Sequence, residues 1–165
     1  MSFIDPCQVE ALFPLASNWE IVKSEYDNIK NRATKWSEPI HNGLWSVIGL
    51  AFKGQKLPMQ KEAPATTELC KEVPGIFTFG FSIMQPGCII EPHRGYTNEV
   101  LRIHLGIYVN SRAAINVGGI IREWEPGGLL IFDDTQIHSA WNHGEEDRVV
   151  LLLDVMRSEI SSYLL

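Results

Sequence analysis

The stretch GCIIEPHRGYTNEVLRIHLG, residues 87–106, sets His93, Arg94, Arg102 and His104 among Ile, Val and Leu. Taking imidazole and guanidinium groups out of water is costly unless a metal, an anion or a hydrogen-bond partner compensates them. His93 closes the run QPGCIIEPH, and His138 closes EPGGLLIFDDTQIH, so each follows a Pro-Gly turn and an apolar stretch. If these two imidazoles meet across a barrel they form two legs of a metal site, since neutral imidazole suits iron, zinc, copper or nickel. The alternative is two separate surface histidines. His41, in SEPIHNG, and His143, in WNHGEED, lie in turn-like stretches and take no role.

Residues two apart on a strand share a face. Arg102 and His104 therefore point together with Val100, and Leu101, Ile103 and Leu105 point the other way. The polar face is either a barrel interior or solvent. Arg148 and Ser82 supply a guanidinium fork and a hydroxyl, the parts of a carboxylate clamp. The alternative for Arg148 is a surface pair with Asp147 or Glu146, worth little. Most non-heme iron sites add a carboxylate two residues after the first histidine. That position is Gly95 here, so an iron held by His93 and His138 would rest on two histidines. Glu91 shares the face of His93 only in a regular strand, which Pro92 disfavours. Asp133 and Asp134 either orient His138 as acceptors or cap the turn before it.

These residues need elements to carry them. Residues 5–33 read as helical: Asp5-Pro6 offers a cap, Pro14 interrupts, and Ser17 with Glu20 has capping-box spacing. Trp19, Val22, Tyr26 and Ile29 then mark one helix face. A second helix is expected over 66–72, capped by Thr66 or Thr67. Stretches 44–52, 76–84, 88–93, 100–109, 113–118, 129–134 and 148–156 are rich in β-branched and aromatic residues and are separated by turn sequences such as QPG, VGG and EPGG. Short strands at this spacing after N-terminal helices predict a mainly β fold, a jelly roll or small barrel over about 44–156. No βαβ alternation, internal repeat or low-complexity tract is present.

The 165 residues are sized for a single domain, and 45% hydrophobic residues suffice for its core. A net charge of −6 argues against nucleic acid as partner, because backbone binders use a basic field. No apolar run approaches the roughly 18–20 residues that span a bilayer, and the first residues lack a secretory pattern, so no membrane partner is expected. Cys7, Cys70 and Cys88 are scattered, which reads as reduced thiols and a cytoplasmic location.

FSIMQPGCIIEPHRGYTNEVLRIHLGI and WEPGGLLIFDDTQIHSAWNHGEEDRVVLLLDV together resemble the aspartyl/asparaginyl β-hydroxylase family, whose members are Fe(II)- and 2-oxoglutarate-dependent dioxygenases on a double-stranded β-helix. G-x5-H at 87–93 and H-x3-N at 138–142 also match a wider cupin pattern. The resemblance implies that His93 and His138 ligate iron and that Ser82 and Arg148 hold the distal carboxylate of 2-oxoglutarate. It places Arg102, His104 and Trp45 around the same cosubstrate. It implies hydroxylation of a C–H of an amino acid, an aspartyl-type residue or another small molecule or peptide, using O2 and releasing succinate and CO2. Val100 stands where members acting on aspartyl residues commonly carry an arginine, which counts against peptidyl aspartate. The competing readings are a cupin-type metal enzyme that ignores 2-oxoglutarate, a non-catalytic small-acid-binding module, and halogenation, since iron halogenases also lack the carboxylate.

Overall fold

The computed structural model describes residues 2–161. Its N-terminal stretch is helical but broken. Turns of 3-10 helix at Pro6–Gln8 and Glu10–Leu12 lead into α1 (Phe13–Ser17), and α2 (Trp19–Ile29) follows. Asp5 caps the first turn, its carboxylate accepting from the Cys7 amide at 2.9 Å. The capping box does not form. Ser17 ends α1, and its hydroxyl donates back to the Phe13 carbonyl at 2.8 Å, so Asn18 begins α2 without a side-chain cap. Val22, Tyr26 and Ile29 are buried as their spacing predicts. α3 (Pro64–Lys71) starts earlier than expected, because its cap comes from outside the helix. The Glu25 carboxylate on α2 accepts from the Ala65 and Thr66 amides at 3.0 and 2.6 Å, which leaves Thr66 and Thr67 as buried interior residues.

The strands are β1 (Phe3–Ile4), β2 (Thr34–Lys35), β3 (Trp45–Phe52), β4 (Gln55–Lys56), β5 (Ile76–Met84), β6 (Ile89–His93), β7 (Val100–Tyr108), β8 (Ala113–Val117), β9 (Ile120–Arg122), β10 (Leu129–Phe132), β11 (His138–Asn142) and β12 (Arg148–Met156), with a short α4 (Arg157–Ile160) after them. One sheet runs β1-β10-β7-β12-β5-β3-β2, with β4 on β3, and the other runs β6-β11-β8-β9. Pairing is antiparallel, and the architecture is mainly β, the jelly roll that the strand pattern predicts and the double-stranded β-helix that the resemblance implies, with the N-terminal helices on the large sheet. All seven expected strands are present. β11, β9 and the two-residue strands were not read from the sequence. No helix among the described residues is long and apolar enough to cross a membrane.

Strand alternation sorts the large sheet into two faces. Phe79, Phe81 and Ile83 on β5, Leu101, Ile103 and Leu105 on β7, and Val149, Leu151 and Leu153 on β12 pack with Val22, Tyr26 and Ile29 of α2 in one core. The opposite face carries Ser82, Met84, Arg102, His104, Arg148, Val150, Leu152 and Asp154 toward the small sheet. There Ile90, Ala113, Ile115, Val117 and Ala140 close a second core with Trp45, Trp124 and Phe132. The polar side of β7 therefore faces the space between the sheets and not solvent. Gly49 and Gly80 are cross-strand partners on β3 and β5. The pair lets the two strands approach closely, since a Cβ on Gly80 would press within 2.5 Å of the Ile48 carbonyl oxygen.

Candidate active site

His93 ends β6 and His138 begins β11, and the two are direct cross-strand partners. Their ring centroids lie 4.2 Å apart. His93 Nδ1 lies 2.7 Å from the Glu91 carbonyl oxygen, and His138 Nδ1 lies 2.9 Å from that of Gln136. A carbonyl only accepts, so each Nδ1 carries the proton and each Nε2 of the neutral ring keeps its lone pair for a metal. Burial, assisted by His93 and Arg102, holds the His138 imidazole down to about 4, so the neutral ligating form dominates. Among the described residues no third His, Cys, Asp or Glu joins them in a metal-holding group.

Gly95 explains what stands in the third place. A Cβ there would run into the Asp134 carboxylate, and the Gly95 amide donates to the Asp134 carbonyl at 2.7 Å. Asp134 is 0% exposed, and neither of its carboxylate oxygens has a hydrogen-bond partner. Its nearest cation is the Arg102 guanidinium at 3.8 Å, and burial raises its carboxyl to about 6. Asp134 does not orient His138, whose Nδ1 is taken by Gln136. Asp133 takes the turn role, accepting from the Thr135 amide and hydroxyl at 3.0 and 2.6 Å and pairing with Arg157 at 2.6 Å.

Arg148 is 2% exposed, which rules out the surface pair with Asp147 or Glu146. Among the described residues it forms no ion pair. Its Nη2 donates to Ser82 Oγ at 3.0 Å, its Nε has no partner, and its guanidinium stacks 4.5 Å from the Trp124 ring. Burial pulls it down to about 9. Trp45 Nε1 also donates to Ser82 Oγ, at 2.9 Å. With both lone pairs of that hydroxyl engaged, its own proton is free to reach an anion. His104 is buried beside them. Trp124 Nε1 donates to His104 Nδ1 at 3.1 Å, which puts the proton on Nε2, a buried donor without a partner. Burial first, then Arg148, Arg102 and His138, keep this ring neutral, well below the ordinary imidazole range.

Arg102 is engaged differently. Its Nε and Nη2 donate to the two Asp154 oxygens at 2.8 and 2.9 Å, and Tyr96 donates to Asp154 at 3.2 Å. Burial works against this guanidinium, but Asp154 more than offsets it and holds the pKa above its ordinary value. Trp124 and Asp154 were not singled out from the sequence. Asp154 was legible, being an acid in the apolar run LLLDV directly opposite Arg102. His143 is exposed as expected, whereas His41 is half-buried, its ring 5.7 Å edge-on from Trp45.

Two cavities share Trp45, Ser82, His93, Arg102 and Leu152. The cationic one, with Arg148, His104 and His138, is narrow at about 30 Å³. The other measures about 410 Å³ and runs along β3 and β5 past Val47, Gly49, Phe79 and Gly80. The residues fit a metal ion beside a dianion: two neutral imidazoles lie side by side, the buried Arg148 Nε and His104 Nε2 lack acceptors, and a hydroxyl proton is free.

The fold is a double-stranded β-helix, and its site sets two strand-end histidines beside a buried guanidinium. The chain matches the aspartyl/asparaginyl β-hydroxylase model over residues 16–158, and it belongs to that family. It is 43% identical over 117 residues to an ornithine lipid ester-linked acyl 2-hydroxylase of Rhizobium tropici, covering 68% of this chain and 42% of the relative. It is 30% identical over 166 residues to the human aspartyl/asparaginyl β-hydroxylase, covering 92% and 22% respectively. The chain thus spans less than half the length of these relatives. Its fold is similar to that of a Pseudomonas putida prolyl-4-hydroxylase, with TM-score 0.54, 15% identity and coverage of 84% and 88%. It is also similar to the α-ketoglutarate-dependent epimerase SnoN, with TM-score 0.62, 10% identity and coverage of 85% and 73%.

Proposed function

We propose that this chain is an Fe(II)- and 2-oxoglutarate-dependent dioxygenase that hydroxylates a C–H bond, with release of succinate and CO2. The observation that carries the reading is Arg148, a fully buried guanidinium with no ion-pair partner among the described residues, in the cavity that His93 and His138 also line. Such a charge is destabilising by itself and is compensated by a bound anion. A cupin-type metal enzyme that ignores 2-oxoglutarate gives Arg148 no partner, and a simple acid-binding module gives His93 and His138 no purpose.

His93 and His138 would hold the iron through Nε2. Arg148 and the Ser82 hydroxyl would fix the distal carboxylate of 2-oxoglutarate, with Trp45 holding Ser82 in place and His104 donating from Nε2. The Asp134 carboxylate fills the space that a side chain at Gly95 would take, and its unpartnered oxygens would accept from a water near the ion. When bound, iron and 2-oxoglutarate supply the activation of O2. The protein orients both in advance and keeps bulk water away through Phe132, Ile115 and Leu152.

Within this reading an acyl chain is the favoured substrate over an aspartyl residue. Val100 is fully buried and brings no charge, and Arg102 is already ion-paired with Asp154 through Nε and Nη2. The large cavity beside His93 is walled by Val47, Phe79 and Leu57. The 43%-identical relative is named for hydroxylation of an ester-linked acyl group. The test is anaerobic loading with iron and 2-oxoglutarate, then admission of oxygen over acyl esters and amino acids, with mass spectrometry. Gain of one oxygen atom by an acyl ester supports the reading; oxidation of an amino acid alone overturns the acyl preference, and no succinate from any substrate overturns the dioxygenase.

A further inference from the structure

The mouth of the large cavity has a feature that neither the fold nor the chemistry at His93 uses. Lys53, at the β3–β4 turn, sits at φ +49° in the left-handed region. Its amide donates to Thr78 Oγ1 at 3.0 Å, which holds the turn against β5. Its ammonium lies 5.2 Å from the centre of the Phe52 ring and 4.7 Å from that of Tyr96. All three line the cavity, yet both rings remain 45% exposed. An aromatic–cation–aromatic rim left in solvent around an apolar opening forgoes burial that the chain obtains elsewhere.

We propose that this rim docks the protein on the surface of a lipid bilayer carrying anionic headgroups, so that an acyl chain passes from the bilayer into the cavity without crossing water. The proposal rests on the acyl reading above. Aromatic rings settle at the headgroup level of a bilayer while a lysine stem reaches toward phosphate, and that is the order found here. The rim is continuous with the cavity and through it with His93. At the mouth two exposed cations, Lys53 and Arg94, outnumber one exposed carboxylate, Glu38, since Asp154 is paired inside. The chain as a whole carries −6, so anionic lipid repels most other approaches and selects this one. The sequence expectation of no membrane partner rested on the lack of a spanning segment, which does not bear on a docking surface.

The test is flotation of the full chain with vesicles of phosphatidylcholine alone and of phosphatidylcholine with phosphatidylglycerol. The wild type should float with the mixed vesicles. Phe52→Ser should lower partition about fivefold to tenfold on them, from the lost ring burial. Lys53→Asn, which tolerates the left-handed backbone, should lower it about fivefold on mixed vesicles and leave phosphatidylcholine binding unchanged. Unchanged unfolding temperatures keep these losses from being misfolding. A wild type that stays off both vesicles, or that floats equally after both substitutions, overturns the proposal. If that non-floating wild type still hydroxylates a water-soluble octanoyl ester, only the docking fails. If it floats as expected but oxidises neither soluble nor vesicle-borne chains, the docking surface stands and the acyl reading falls.

Discussion

Replacing Arg148 by methionine should leave the ligand-free protein as stable as before, or more so, while removing most of its response to 2-oxoglutarate. The side chain is 2% exposed and has no carboxylate partner. Exchanging a buried ion for an apolar chain of similar volume is often neutral or stabilising by about 1–4 kcal/mol. Loss of the Ser82 contact at 3.0 Å and of the Trp124 stack at 4.5 Å offsets roughly 1–2 kcal/mol of that. The expected net change is thus about zero to a gain of 2 kcal/mol. A charge-assisted clamp contributes about 2–3 kcal/mol to the bound carboxylate, so 2-oxoglutarate affinity should fall roughly 30- to 150-fold. At a 2-oxoglutarate concentration of about 100 Kd the wild type gains about 2.7 kcal/mol. That is a rise in unfolding temperature of about 5–11 °C for a chain of this size. The variant at the same concentration should shift by only about 1–3 °C. Scanning fluorimetry of the manganese-loaded proteins reads both numbers. A variant that unfolds several degrees below wild type without ligand, or that keeps the full shift, refutes the idea that Arg148 is an uncompensated anion anchor.

Asp154→Asn should destabilise the protein by about 3–5 kcal/mol in urea, since it strands the buried Arg102. Trp124→Phe should free the His104 tautomer and weaken 2-oxoglutarate binding about fivefold, measured by titration calorimetry, with little change in metal affinity. Asp134 gives a pH signature in the metal-free protein. Its folded carboxyl, near 6, lies above the unfolded value, so its ionisation opposes folding: the penalty is absent below about pH 4 and complete above about pH 6. Asp134→Asn should therefore gain stability over wild type across that window, by up to about 3 kcal/mol. Urea midpoints that keep a constant gap from pH 4 to pH 7 would contradict this.

The alternation rule was enough to place the cleft. Arg102 and His104 share a face with Val100 because β7 is regular, and the same rule puts Arg148 and Ser82 beside them once β12 and β5 pair in register. The pairing of His93 with His138 was anticipated only as two strand ends meeting. HSAWN at 138–142 is not among the strands expected from the sequence, and β11 pairs with β6 and β8 on either side, a tertiary effect that local propensity does not carry. Caps failed for a related reason. Ser17 and Glu20 have the right spacing, but the break at Asn18 comes one residue late, and the cap of α3 is a carboxylate 40 residues away in the chain. The role of Trp124 was not legible because it lies outside every predicted strand and reaches His104 through the turn after β9. For Asp134 the sequence offers either His138 or the turn, and its carboxylate bonds to neither. The space it fills is defined by the missing side chain of Gly95, which only three-dimensional proximity reveals.

Manganese binding, followed by electron paramagnetic resonance in wild type, His93→Ala and His138→Ala, tests the central claim most directly. The proposed sharing of one ion by the two Nε2 lone pairs predicts one tight site in the wild type. Each substitution should weaken it on the order of a hundredfold or more, and 2-oxoglutarate should change the wild-type spectrum alone. Equal manganese affinity in all three proteins, or a 2-oxoglutarate response that survives without His138, would contradict it.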